Sequence, residues 1–468
     1  MQRNNPFSLA SFNSALFVLV CLFFMPCSLL ANTTTHEYFL DNGLKLIVKQ
    51  DHRSPVVIQQ IWYKVGSMDE VNGKTGVAHA LEHMMFKGTV KVPAGEFSRR
   101  IAAAGGVENA FTGTDYTAYF QQLHKQHLPM AMELESDRMR NLVLTEEEFS
   151  KEIQVVMEER RLRTDDQAHS LLFEKMMATA FQTHPYRRPI IGWMNDLEQM
   201  RVSDQQEWYD KWYAPSNAVL VIVGDVKPAE VLAFAQKYYG NIKPSSVPDL
   251  AERNPQTEPP QVGIKRLWVK APAELPYLLM GYKVPTLKDP QNDWEPYALE
   301  ILEGVLDGNA SARLNKTLVR ETHMAVSAGA GYNAIARGPG MFYLDATPSQ
   351  GKTIEELEQS IRLEIDKIIQ SGITEQELSR VKAQVIAGHV YQLDSISAQA
   401  MQIGRLESAD FSQRDEAVIL EKLKAVETEQ VREVAKKYLT DDVLTVAVLD
   451  PQPLDKNSSA NKSINLRH

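Results

Sequence analysis

The chain has 468 residues, too many for one ordinary hydrophobic core, so two or more domains are expected. Its 44% apolar and 24% charged content is that of a globular protein. A formal net charge of -10, with no sustained Lys/Arg run, argues against nucleic-acid binding as the main task.

The first residues read as an export signal. Arg3 supplies a positive start, Ala15 to Met25 an apolar run, and Ser28-Leu29-Leu30-Ala31 a cleavage site before Asn32. The apolar run is shorter than the roughly 20 residues a spanning helix needs, so cleavage is favoured over an N-terminal membrane anchor. Residues 1–31 are therefore expected to be a signal peptide, with a periplasmic mature chain and no stable membrane insertion. Both cysteines, Cys21 and Cys27, fall within it, so the mature chain would rely on packing and not on disulfides.

From Glu37 the pattern is strand-like. Tyr38 to Leu40, the turn Asp41-Asn42-Gly43 and Leu44 to Val48 read as a hairpin, and Val56 to Tyr63 as a third strand. Gly66 to Lys74 resembles a loop, and a helix begins near Gly76. That helix carries His79-Ala80-Leu81-Glu82-His83. This is H-x-x-E-H, the inverse of the H-E-x-x-H zinc-protease motif. Positions i, i+3 and i+4 share a helical face, so His79 and His83 can aim at one metal with Glu82 beside it as a base. Met84 and Met85 are expected to pack the helix.

Helices follow over Pro93 to Ala103, Pro129 to Leu142 and Thr145 to Arg163, the last opening with Thr145 and Glu148 in capping-box spacing. Asn109 to Thr112 and Thr117 to Phe120 are strand-like. Asn217 to Asp225 is a buried strand, and a new helix starts after Pro228. Residues 243–262 hold five prolines and no apolar period, the pattern of an interdomain linker.

Repetition crosses that linker. Leu144-Thr145-Glu146-Glu147-Glu148-Phe149-Ser150 is echoed 229 positions on by Ile373-Thr374-Glu375-Gln376-Glu377-Leu378-Ser379. Tyr213 and its following strand are echoed 225 positions on by Tyr438 and Val443 to Leu449. Two echoes at nearly one offset indicate duplication. The chemistry is in one copy only: no H-x-x-E-H follows the linker, and Glu152 and Glu159 correspond to Val381 and Gly388. The expected plan is an N-terminal catalytic domain over 32–242, the linker 243–262, a degenerate domain over 263–454 and a polar tail over 455–468.

Catalytic zinc usually takes three protein ligands. The helix from Thr145 offers Glu146, Glu147, Glu148, Glu152, Glu158 and Glu159, of which Glu152 and Glu159 share a face. The acidic run from Glu146 to Glu148 suits a solvated first turn.

These residues resemble the pitrilysin or insulinase family of inverzincin metallopeptidases, which includes the mitochondrial processing peptidase. There the third ligand is a glutamate 76 residues after the second histidine, with a supporting glutamate seven earlier; here those are Glu159 and Glu152. The resemblance thus implies one Zn2+ per chain on His79, His83 and Glu159, and Glu82 as catalytic base. Gly105 to Thr112, with Asp115, Thr117 and Tyr119, is similar to the segment that offers an edge strand to substrate, which makes Asn109, Ala110 and Phe111 substrate-binding candidates. Asn109 equally suits a turn cap, and Phe111 and Phe86 equally suit the core. His184-Pro185-Tyr186-Arg187-Arg188-Pro189 and Gly192-Trp193 resemble another family stretch, with His184 in a structural role.

The implied fold is α+β: two homologous domains, each a mostly antiparallel sheet packed with helices, forming half of a clamshell. Long family members carry a substrate-contacting Arg/Tyr pair in the second half; here Leu318 and Ala325 fall at those places, with Arg320 or Tyr332 as the candidate substitutes. The resemblance therefore implies a partner, either a homologous non-catalytic subunit bearing that pair or a second copy of this chain. The expected activity is a zinc endopeptidase acting on peptides or unfolded segments, with a non-catalytic assembly subunit as the alternative.

Overall fold

Ala218–Gly224, a run of small and β-branched residues, is buried along its whole length in the computed structural model, as befits a central strand covered on both faces. The structure describes residues 35–250, 253 and 256–454. The signal-peptide segment 1–31, with both cysteines, and the 455–468 tail lie outside the described residues.

The first half contributes β1 (Thr35–Phe39), β2 (Lys45–Gln50), β3 (Val56–Tyr63), β4 (Val107–Thr112), β5 (Thr117–His124) and β6 (Ala218–Gly224). Its helices are α1 (Val77–Met84), α2 (Glu96–Ala103), α3 (Leu128–Asn141), α4 (Glu146–Arg160), α5 (Ala168–Ala180), α6 (Met194–Gln199), α7 (Val202–Trp212) and α8 (Pro228–Tyr239). The strands form one sheet in the order β1-β2-β6-β3-β5-β4. Only β2 and β6 run parallel.

The second half contributes β7 (Lys265–Pro272), β8 (Tyr277–Val284), β9 (Ala325–Gly331), β10 (Gly340–Pro348) and β11 (Leu444–Gln452). Its helices are α9 (Glu295–Asp307), α10 (Ile354–Ser371), α11 (Glu375–Gln392), α12 (Ile396–Ser408), α13 (Asp415–Ala425) and α14 (Thr428–Tyr438). The sheet order is β7-β11-β8-β10-β9, again with one parallel pair, β7 and β11. Apart from β1 the two sheets have the same order and the same parallel pair. The sequence echo at Thr145 and Thr374 marks the starts of α4 and α11, where each threonine hydroxyl accepts the backbone N–H three residues on. In α11 Glu377 returns the bond and completes a capping box; in α4 Glu148 pairs with Lys151 at 3.0 Å instead.

Each sheet buries one face against its own helices and the other against a helix from the opposite half. α12 lies on sheet one, where Ala400 and Ile403 join Ile47, Ile58, Trp62, Val219 and Val221 in an apolar cluster. α5 lies on sheet two, where Leu172 and Met176 join Ala271, Leu279, Ala447 and Leu449. Both crossings use a glycine for close approach. A Cβ on Gly404 would meet the Trp62 ring at 1.9 Å, and one on Gly281 would meet Met176 Cε at 2.0 Å.

The proline-rich stretch is tied down at two points. Arg253 donates to Asn217 Oδ1 at 2.7 Å and lies over the Trp212 ring, and the Glu258 carboxylate accepts the N–H groups of Gln182, Thr183 and His184. Arg337 adds a second-half tie, a two-armed ion pair with Asp69 at 2.9 and 3.0 Å. No helix among the described residues is long and apolar enough to cross a membrane.

Candidate functional site

The start of α1 is set by backbone geometry that only glycine accepts. Gly76 has φ +84° and a Cβ there would meet the Ile191 carbonyl at 2.5 Å; Gly192, at φ +88°, backs onto Thr75 and Gly76 in return. The open N–H groups of the first turn are met by a carboxylate, as Gly76 and Ala78 donate to Glu70 at 2.9 and 3.0 Å. Asp196 holds Thr75 through its hydroxyl and its N–H. The Gly192-Trp193 stretch is thus the clamp on the motif helix, and Glu70 and Asp196 are functional supports that no spacing rule in the sequence singles out. Burial lowers His184 to about 4, which keeps it neutral while its Nδ1 accepts the Tyr186 N–H, a structural role.

On α1, His79 and His83 present their rings to one point, 4.8 Å apart between centroids. α4 crosses beside it and delivers Glu159, whose Oε2 lies 3.2 Å from His83 Nε2 and 3.7 Å from His79 Nε2. One ligand atom from each residue falls within 4.8 Å of the others, a set that could hold a metal ion. The buried Oε2 of Glu159 is aimed at both imidazoles. Two imidazole nitrogens and a carboxylate oxygen, with room for a fourth partner in the adjoining cleft, suit a catalytic zinc donor set.

Glu152, seven residues earlier on α4, sits behind His83: its Oε1 is 3.0 Å from His83 Nδ1, and its Oε2 pairs with Lys87. Arg163 pairs with Glu159 Oε1 at 2.5 Å from the other side. Lys87 and Arg163 stand four residues after His83 and Glu159, so an i, i+4 search from the ligands would have found both. Arg163 lies in a π-helical turn, Arg161–Asp165, that continues α4 and breaks the single helix expected to Arg163.

The electrostatics favour positive charge at this point. Burial disfavours a charged His83, yet Glu152 and Glu159 outweigh it and raise the ring to about 9. Burial likewise opposes the Glu159 anion, but His83 and the other cations bring it down to about 2. Glu82 is pushed up by burial, against the hydrogen bond from Thr112. If Glu152 sets the tautomer and basicity of a metal-binding His83, Glu152→Gln weakens metal affinity about ten- to a hundredfold. Competition with a chelating dye measures this, and an unchanged affinity would remove Glu152 from the site.

A cleft of about 710 Å³ opens beside the three ligands and contains Glu82. One wall is β4, the edge strand, which pairs with β5 alone. Asn109, Ala110, Phe111 and Thr112 all line it. Asn109 Oδ1 accepts the Ala110 N–H at 2.8 Å, and Phe111 meets the Trp62 ring edge-on at 5.2 Å, so both also serve the local structure. Phe86 packs on the first-half core beneath α1.

The second half has the same frame without the two histidines. Matching β8 to β3 places Glu300, Glu303 and Gly304 of α9 at the positions of His79, Glu82 and His83. Where His83 meets Glu152 in the first half, Gly304 packs on Val381, at 2.6 Å from an added Cβ to Val381 Cγ1. Leu318 and Ala325 are buried. Arg320 is exposed, while Tyr332 donates to the Pro285 carbonyl and stacks on Phe342. All residues lining the cleft of the triad come from the first half, so it contains neither Arg320 nor Tyr332.

Comparison with known proteins agrees with this architecture. Residues 45–193 match the profile of "Insulinase (Peptidase family M16)", and residues 201–385 that of "Peptidase M16 inactive domain". The chain is 33% identical over 361 residues to the zinc protease PqqE of Helicobacter pylori, covering 76% of this chain and 80% of that one. The chain belongs to the M16 (pitrilysin/insulinase) family. Among other M16 relatives, an uncharacterized zinc protease of Mycobacterium leprae is 27% identical over 86% of this chain and 88% of its own. The crystal structure of a Helicobacter pylori protease superimposes with a TM-score of 0.84 at 29% identity, covering 90% of this chain and all of that one. The periplasmic protease PqqL of Escherichia coli shares the fold at a TM-score of 0.76 and 17% identity, covering 90% of this chain but 49% of that longer one.

Proposed function

We propose that this chain is a zinc-dependent endopeptidase that hydrolyses peptides or unfolded protein segments in the periplasm. The observation that carries the reading is the convergence of His79, His83 and Glu159 beside Glu82 in a cleft walled by an open strand edge. In this reading His79, His83 and Glu159 hold one zinc ion, and Glu152 orients His83. Bound zinc supplies a Lewis acid for the scissile carbonyl and lowers the pKa of water. Glu82 takes the proton from the attacking water and passes it to the leaving amine. Asn109, Ala110 and Phe111 offer the substrate a strand edge, a mode in which main-chain hydrogen bonds supply affinity. The zinc-protease names of the M16 relatives support the chemistry. The charged and apolar pattern of residues 1–31 supports export.

The second half, residues 263–454, acts as a non-catalytic wall, and a partner completes the chamber. A neighbouring cleft that shares Thr114, Phe173, Met177 and Tyr186 with the first and is lined by Tyr332 and Tyr343 supports the wall, and the buried Leu318 and Ala325 support the need for a partner. The partner is a homologous subunit bearing an Arg/Tyr pair, with a homodimer as the rival. Metal content and peptide hydrolysis, followed through chelation and reconstitution, test the activity. One zinc per chain and activity that disappears with chelator and returns with zinc are expected. Failure to take up zinc, or proteolysis indifferent to the chelator, would overturn it.

A further inference from the structure

The cleft beside His79 holds cations that its carboxylates do not answer. Glu159 faces the two histidines and Arg163, and Glu174 is taken by Arg160 and Lys175. Arg187 and Arg188 line the same cleft, and neither forms an ion pair among the described residues. Their hydrogen-bond partners are neutral: Arg187 Nη1 donates to the Gln182 carbonyl at 2.6 Å, and Arg188, which also feels the Glu70 and Asp196 carboxyl groups, donates to the Glu70 carbonyl and to Asn72 Oδ1. Such oxygens satisfy hydrogen bonds without cancelling charge. Both arginines are half-buried, which limits screening by salt.

The pair is also held in place. It lies between Pro185 and Pro189, and the intervening turn is anchored by Tyr186, whose hydroxyl donates to Asp115 at 2.7 Å. A guanidinium fixed in this way recognises a carboxylate with little ordering cost. Phe173 and Ile190 add exposed apolar surface beside it.

We infer that the cleft selects peptides with an aspartate or glutamate side chain that docks against Arg187 and Arg188. This names a substrate class for the proposed endopeptidase and rests on that reading. The two are separated by measuring binding on the full chain carrying Glu82→Gln, loaded with zinc, and cleavage on the wild type. The probes are labelled peptides that differ only in a single Glu, Gln or Lys, moved along an otherwise neutral sequence.

At the best position the Glu peptide is expected to bind about five- to tenfold tighter than the Gln peptide, with Lys weakest, as for one partly desolvated charge pair. The advantage shrinks as salt rises. Adding Arg187→Gln levels Glu and Gln, and Arg187→Glu reverses Glu and Lys. Equal affinity for all three peptides, or an order unchanged in both variants, overturns acid selection. Cleavage without preference overturns acid selection while sparing the endopeptidase; acid-selective binding with no cleavage by zinc-loaded wild type does the reverse.

Discussion

Glu82→Gln is expected to lower peptide hydrolysis by about two to four orders of magnitude, the usual worth of a positioned general base, while leaving zinc content unchanged. Glu82 is not one of the three groups whose atoms converge, so the substitution removes no donor. Glutamine keeps the volume and can still accept the hydrogen bond that Thr112 donates to Glu82 Oε2. It cannot take up a proton. The paired readout is metal content against turnover at saturating peptide. A variant that cleaves normally would place the base elsewhere, and one that loses zinc would mean Glu82 acts through the metal's binding.

The parts of this site that could be read in the sequence are those fixed by helical periodicity. His79, Glu82 and His83 stand on one face of one helix, and Glu152 and Glu159 on one face of another, so spacing alone grouped each set. That α4 crosses α1 closely enough to join the sets came from family resemblance, since no local rule gives the approach of two helices. Strand runs were legible because apolar β-branched residues cluster there. Sheet order was not, because the β2 to β6 pairing joins residues some 170 positions apart.

The exchange of α5 and α12 was illegible for a related reason. Each helix packs on strands of the other half, and the only local trace is a glycine, Gly404 or Gly281, whose purpose is visible only against Trp62 or Met176. Glu70, Asp196 and Gly192 act on α1 from outside the motif. Proline and serine content pointed to a linker over 243–262 but not to its anchors, Arg253 and Glu258, whose partners lie far away in the chain.

The largest stability effect is expected at Arg138. It is 2% exposed, its partner Glu135 is fully buried, and they bond through Nε and Nη2 at 2.8 and 2.7 Å. Gln121 donates to the same carboxylate and receives a bond from Gln59, which ties α3 to β5 and β3. The guanidinium also lies against the rings of Phe86, Phe97 and Tyr119, so the network supports the end of α1 from below. Arg138→Met leaves a buried carboxylate without its cation, at a cost of roughly 3–5 kcal/mol. Against a total stability of about 5–15 kcal/mol this is a large fraction. Because the cost is mostly an unpaired charge and not a lost attraction, adding Glu135→Gln should restore at least half of it. Denaturation followed by tryptophan fluorescence measures both variants, and zinc affinity measured alongside reports the seating of α1. A single variant within about 1 kcal/mol of wild type, or a double variant no better than the single, would show that the pair is not the source of rigidity beneath the metal helix.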